Sequence, residues 1–351
     1  MKQIVVNRIS KIALFASVLA GSSAVMAASG TVAFLMPDQA STRYEQYDYP
    51  GFKAEMTKLC ADCRVIYQNA NADVALQQQQ FNSVIAQGAK VIVLDPVDSS
   101  AAASLVSYGQ SLGVKIIAYD RPIPDKVADY YVSFDNEGIG RAIAESLVQH
   151  LEESGIAKDS GGILQINGSP TDAAAGLIRD GIDQGLDNSG YSTLSEYDTP
   201  GWSPPKAQVW ASGQITRFGS KIIGVVAAND GTGGGAIAAF KASGVDPVPP
   251  VTGNDATDSA LQLIISGDQY NTISKPSQIV AAAAANVAVL FLNGKIPTAE
   301  MQLYDTPSQL FVPAVVTRKN IKQLIFDSGI AAAKDICTGR YVKGCTELGI
   351  K

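Results

Sequence analysis

The 351-residue sequence predicts an α/β protein of two doubly wound parallel-sheet domains. Three observations carry this. From Thr31 onward, short β-rich runs alternate with longer amphipathic stretches, the pattern of βαβ units. The alternation runs through once and then starts again near Gly162. Setting aside an N-terminal leader leaves about 320 residues, more than one hydrophobic core ordinarily serves.

The leader comes first. Lys2, Arg8 and Lys11 are followed by the uncharged stretch Ile12 to Ala20 and by small residues ending in Val25-Met26-Ala27. That is the layout of a secretory signal peptide, expected to be removed over residues 1–27. The apolar run falls short of the roughly 20 residues that span a bilayer. No cysteine sits near the cleavage point, so a freely diffusing periplasmic or secreted protein is expected. Loss of the three leader cations takes the formal net charge from −6 to −9. Such a balance argues against nucleic acid or an anionic membrane surface as partner, since both are bound through Lys and Arg.

The first series of expected strands is Val32 to Met36, Arg64 to Tyr67, Val91 to Leu94, Lys115 to Tyr119 and Tyr130 to Phe134, with helical stretches at Val74 to Gln87 and Ala101 to Leu112. The second series is Gly162 to Ile166, Tyr191 to Tyr197, Lys221 to Val226, Val248 to Val251 and Tyr270 to Ser274. Helices are expected at Gly138 to Glu153, Ala173 to Asp187, Pro204 to Phe218, Gly233 to Ser243, Asp258 to Ile265 and Ser277 to Leu292.

Four cysteines form two local pairs, Cys60 with Cys63 and Cys337 with Cys345. In an exported chain these read as two short-range disulfides. A redox CxxC ordinarily follows a strand and opens a helix, whereas Cys60 closes a helical stretch and Cys63 precedes a strand. No metal site is expected.

Open α/β sheets gather ligands beyond the carboxyl ends of their strands. Here those ends carry Asp95, Asp120-Arg121, Asp135-Asn136-Glu137, Asn167 to Asp172, Asn229-Asp230, Asn254-Asp255 and Lys275. Helix capping explains some of the Asp and Asn, but Arg121 and Lys275 are not cap residues.

Catalytic machinery is hard to find. The one histidine, His150, lies inside a helical stretch, and no nucleophile elbow, zinc-protease or phosphate-loop motif appears. The cluster Gly231 to Gly235 lacks the Lys-Ser/Thr that a phosphate loop needs, so no cofactor is expected. A glycosidase using Asp230 and Asp255 as acid and base is the enzymatic alternative. Carboxylates at strand ends serve equally well to accept hydrogen bonds from sugar hydroxyls. Each hydroxyl both donates and accepts, so acids and amides interleaved with Arg and Lys suit a monosaccharide, with aromatic faces over its C–H patch. Arg43, Arg121, Asn229, Asp230, Asp255 and Lys275 would serve the hydroxyls, and Tyr44 and Trp202 the ring.

Ordered motifs then carry a resemblance. They are Ala118-Tyr-Asp-Arg-Pro122, Tyr131 to Glu137, Gly168-Ser-Pro-Thr-Asp172, Gly201-Trp-Ser-Pro204, Asn229 to Ile237, Gly253-Asn-Asp-Ala256, Ser274-Lys-Pro276 and Val312 to Val316. Through them the chain resembles the type I periplasmic binding proteins for pentoses and hexoses, its pattern nearest to the xylose-binding members. The resemblance implies sugar contacts from Arg43, Arg121, Trp202, Asn229, Asp255 and Lys275, with Asp172 and Asp230 near the cleft. It implies a monomer that passes its sugar to the membrane permease of an ABC importer. It also implies a three-strand hinge, crossed near Phe134 to Asn136, near Ser274 to Ser277 and between Tyr304 and Pro313. The lobes would then be 28–135 plus 276–305 and 136–275 plus 306–351. In one place the sequence departs from the xylose-binding pattern: Ala173, Ala174 and Ala175 stand where asparagines are expected, which opens the ligand to other aldoses. A DNA-binding regulator of this fold would need a helix-turn-helix where the leader stands. A sugar receptor for chemotaxis or for a sensor kinase would share the site and differ only in partner.

Overall fold

A computed structural model describes residues 29–39, 41–187 and 189–351; the expected signal segment lies outside the described residues. In chain order the strands and helices are Thr31–Met36 (β1), Tyr49–Leu59 (α1), Arg64–Asn69 (β2), Val74–Ala86 (α2), Ala89–Leu94 (β3), Ala102–Ser111 (α3), Lys115–Tyr119 (β4), Tyr130–Phe134 (β5) and Asn136–Glu153 (α4). There follow Gly162–Asn167 (β6), Ala173–Asp187 (α5), Ser192–Asp198 (β7), Pro204–Phe218 (α6), Ile222–Ala227 (β8), Asp230–Ala242 (α7), Asp258–Ser266 (α8), Asn271–Ser274 (β9) and Ser277–Leu292 (α9). Met301–Leu303 (β10), Thr306–Phe311 (β11) and Ala314–Thr317 (β12) precede a short helical tail.

The first lobe is a seven-stranded sheet in the order β10-β11-β5-β4-β3-β1-β2, parallel except for β10. Alternate residues of each strand feed opposite faces, as a period of two demands. Val32, Phe34, Val91, Val93 and Ile117 pack toward α1 and α9, while Ala33, Leu35, Ile92, Leu94 and Ile116 pack toward α2 and α3. The alanine-rich run in α9 is a packing face: Ala281, Ala284, Ala285 and Ala288 are fully buried. Helix α1, which the strand-and-helix alternation did not delimit, lies against that face.

The second lobe holds the parallel sheet β7-β6-β8 and a separate antiparallel pair, β9 with β12. Side chains of Asp73, Asp135, Asn229 and Thr257 accept from backbone N–H groups in the first turns of α2, α4, α7 and α8, so two of the strand-end polar residues, Asp135 and Asn229, are caps as well. The expected strand Val248 to Val251 is reduced to one bridge, Val251 to Val225, because prolines at 249 and 250 remove two ladder donors. Helices α4 and α5 touch backbone to backbone, since a Cβ at Gly140 would sit 1.9 Å from the Ile178 carbonyl oxygen. This contact fixes the helix that carries Ala174 and Ile178.

The chain passes between the sheets after β5, after β9 and between β11 and β12. The last crossing corrects the expected boundary at 305/306. Strand β11 pairs in parallel with β5, Ser308 to Tyr131 through Phe311 to Phe134, so it belongs to the first lobe and the crossing falls at Val312-Pro313. Cys60 pairs with Cys63 and Cys337 with Cys345, with Cα–Cα separations of 5.3 and 5.9 Å. The second pair holds the tail on α8, where Ile336 and Cys345 join Leu261, Ile264 and Ile265 in one apolar cluster.

Candidate functional site

Strand ends from both lobes converge on one narrow cavity, as expected for ligand sites of open α/β sheets. Eight of the nine expected residues line it: Arg43, Tyr44, Arg121, Asp172, Trp202, Asn229, Asp255 and Lys275. Ser41, Asp120, Asn136, Ala174, Ile178 and Asn254 complete the wall.

Two buried guanidinium groups organise the first-lobe side. Arg43 donates from Nη1 to Asp48 at 2.9 Å and to Ser277 Oγ at 3.2 Å, and from Nη2 to Asp120. Arg121 donates from Nη2 to Asp38 at 2.7 Å and from Nη1 to the Pro96 carbonyl at 3.1 Å. Its Nε lies 3.5 Å from Asp95 and 3.2 Å from Asp172 without hydrogen-bond alignment to either. Among the described residues, Arg43 Nε, Arg121 Nε and Asn254 Oδ1 are buried polar atoms with no hydrogen-bond partner. An unmet donor or acceptor of that kind is costly unless a ligand completes it.

Electrostatics follow from this pairing. Burial raises the Asp120 carboxyl, but Arg43, Lys275 and Arg121 outweigh it and bring it down to about 2. Burial raises Asp172, Asp48 and Asp95, with the neighbouring arginines opposing. Lys275 Nζ stands 3.0 Å from Asp255 and 3.9 Å from Asp120. The backbones of Asp120, Trp202 and Asp255 have φ of 57°, 54° and 108°, the left-handed region that costs a side-chain-bearing residue about 1–3 kcal/mol. Each of these turns aims a side chain into the cavity.

Two expected roles change. Asp230 does not line the cavity; it stands behind the wall, 4% exposed, accepting from Gln269 Nε2, Thr272 Oγ1 and both the N–H and Oγ1 of Thr257. Its position as first residue of α7 points the carboxylate back along the loop that follows Val251. Tyr44 does line the cavity, but the Arg43 guanidinium lies 4.7 Å over its ring, and its hydroxyl donates to Asp120 at 3.1 Å. It acts there as a polar residue and not as a stacking face. Trp202 lines the cavity and also joins the buried apolar cluster: its indole N–H donates to Asp172 at 2.9 Å, and its ring lies so near Gly168 that a Cβ there would be 2.2 Å away. Of the three alanines, only Ala174 faces the cavity. Ala175 sits beside Gly168, where Trp202 packs, and Ala173 N–H donates to Ser99 Oγ across the cleft.

Asp120, Asn136 and Asn254 were visible only as strand-end polar residues. Each neighbours a chosen residue or a cap, and nothing in the sequence says which of two adjacent side chains turns inward.

Residues 32–296 match the periplasmic binding protein domain family. The chain belongs to that family. It is 33% identical over 274 residues to the D-xylose-binding periplasmic protein of Escherichia coli (strain K12), covering 76% of this chain and 81% of that one. It is 27% identical to the multiple sugar-binding periplasmic receptor ChvE of Rhizobium radiobacter, covering 89% and 94%. Among solved structures, an ABC transporter solute-binding protein from Clostridium phytofermentans with bound β-D-glucose superposes with a TM-score of 0.81 at 26% identity, covering 87% of this chain and 99% of that one. No helix among the described residues is long and apolar enough to cross a membrane.

Proposed function

We propose that this member of the family is an exported, non-catalytic solute-binding protein. It captures a monosaccharide, a xylose-like aldose, between its lobes and delivers it as a monomer to the membrane permease of an ABC importer. The observation that carries the reading is the cavity wall. Cations, carboxylates and amides alternate around it, Arg43 Nε, Arg121 Nε and Asn254 Oδ1 await partners, and Trp202 supplies an aromatic surface. Sugar hydroxyls, which donate and accept, complete such a set. The nine residues singled out from the sequence then divide into Arg43, Tyr44, Arg121, Asp172, Trp202, Asn229, Asp255 and Lys275 as ligand contacts and Asp230 as a brace. Non-catalytic capture is supported by the same geometry: Asp230 is held by four donors behind the wall and Asp255 is paired with Lys275, so neither is placed as the acid of a glycosidase. The names of the relatives support xylose or several sugars as ligand and the periplasm as location. Both cysteine pairs are read as disulfides formed after export.

The test is a thermal-shift panel of xylose, glucose, arabinose, ribose, galactose and fructose. A ligand binding only the folded state raises the melting temperature by mass action. One or two of the sugars are expected to do so, and Asp255→Ala should remove the response. A flat panel, or turnover of aryl glycosides by the pure protein, sinks the reading.

A further inference from the structure

A second cavity, of about 320 Å³, lies in the second lobe at the end remote from the first, and its volume falls within the range of small-molecule sites. Its origin is in the chain. The segment Val248 to Asp255 runs between β8 and β9, but Pro249 and Pro250 lack ladder donors, so it pairs only through Val251. One end of that segment delivers Asn254 and Asp255 to the first cavity, and at the other end the sheet stays open. Tyr270, which leads into β9, and Thr317, which ends β12, border the opening. His150 borders it from α4, about 20 Å along the helix from Asn136 of the first cavity at 1.5 Å per residue.

The lining has two parts. Val248, Pro249, Pro250 and Ile264 are apolar, and beside them the His150 and Tyr270 rings lie nearly parallel, with centroids 4.2 Å apart. The Tyr270 hydroxyl donates to the Ser146 carbonyl at 3.1 Å, which fixes its ring. Burial holds the His150 imidazole below its usual range, so near neutral pH it is an uncharged flat ring. The second part is cationic and consists of Arg318 and Lys319. Their partners are Glu347 at 2.9 Å and Glu153 at 3.7 Å, in exposed pairs that contribute little and yield readily to another anion. Asp268, the acid in the lining, is already held by Lys241 at 2.5 Å and by Ser266 Oγ at 2.8 Å. An apolar and aromatic surface beside two cations suits a molecule that buries a flat ring and presents one negative charge. We propose that this cavity is a second binding site, distinct from the sugar cleft, and that it takes a small aromatic carboxylate.

Calorimetric titration of the protein with benzoate, phenylacetate and 3-phenylpropanoate tests this, with benzamide as the uncharged counterpart and acetate as the ringless one. At least one of the three ring carboxylates should bind saturably and roughly tenfold or more tightly than either counterpart, the worth of a charge-assisted hydrogen bond or of a buried ring. Arg318→Gln with Lys319→Gln should weaken it by a similar factor, and both side chains are exposed, so the fold should tolerate the change. His150→Ala, which removes half of the stacked pair, should weaken it as well. Asp255→Ala, a change at the first cavity, should leave it unaltered. Silence from all three ring carboxylates, equal binding of benzamide or acetate, or indifference to both the double variant and His150→Ala overturns the inference. Loss of binding in Asp255→Ala overturns it too, because the carboxylate would then sit among Arg43, Arg121 and Lys275. None of these outcomes bears on sugar capture, which the sugar panel tests separately.

Discussion

Arg121 reaches across the cleft to Asp172, its Nε 3.2 Å from Oδ2, while its other nitrogens remain anchored to Asp38 and the Pro96 carbonyl in the first lobe. One guanidinium thus belongs both to the ligand wall and to the contact between the lobes. It is also the cation nearest to Asp95, a fully buried carboxylate with neither oxygen hydrogen-bonded. Arg121→Ala should lose the response to sugar and also stability, because Asp38, bonded to the guanidinium at 2.7 Å, and Asp172 are left without their cation. Adding Asp38→Asn should recover part of the stability, read by urea denaturation, and none of the sugar response. An Arg121→Ala protein of undiminished stability would contradict the dual role.

The lobes are also held together by bonds that touch no part of the cavity. Ser99 N–H donates to the Thr171 carbonyl at 3.0 Å, Ser99 Oγ accepts from the Ala173 N–H at 3.0 Å, and Tyr47 Oη donates to Asp258 at 3.0 Å. Closure favoured by such bonds adds to the apparent affinity of any ligand that binds the closed form. Each side-chain bond contributes about 1 kcal/mol net, so Ser99→Ala with Tyr47→Phe should weaken sugar binding by roughly tenfold or more. Stopped-flow measurement should assign the loss to dissociation, with association little changed. Unaltered affinity in the double variant would show that these bonds do not bias closure.

Periodicity made the two βα series legible, and the polar strand ends made most of the cavity legible, because both are local properties of the chain. What escaped depended on distant partners. Thr306–Phe311 is not among the expected strands, and only its pairing with β5 assigns it to the first lobe. Asp230 and Asp255 both follow β-rich segments, yet the left-handed turn at Asp255 and Ala256 directs one carboxylate inward, while Asp230 faces Gln269 and Thr272. The three consecutive alanines looked alike, and only the approach of Ser99 and Trp202 gives them separate roles.

Asp230 should give the protein a pH signature of its own. Burial first, then the charge of Asp255, push its carboxyl up to about 7, against the pull of Thr257, Thr272 and Gln269. A carboxyl that holds its proton more tightly when folded adds stability that is complete below the ordinary carboxylate range and is lost as pH rises through about 7. Between about pH 5 and pH 7 the stability of the parent relative to Asp230→Asn should fall by about 2 kcal/mol. Urea denaturation across that interval measures it. A difference independent of pH would mean that the four donors keep Asp230 ionised throughout.

The Cys337–Cys345 pair, eight residues apart, clamps a tail that packs Ile336, Cys345 and Ile350 against Leu261, Ile264 and Ile265. Closing a loop of that length is worth about 2–3 kcal/mol by restricting the unfolded chain. Cys337→Ser with Cys345→Ala should cost that much, and amide exchange should accelerate first in Val342–Glu347, the helix that carries Cys345. Neither cysteine approaches the cavity, so sugar affinity should stay unchanged wherever the variant is folded. Weakened binding at full folding would mean that the tail controls how α8 and the Asp255 loop before it are set, and would tie the clamp to the site.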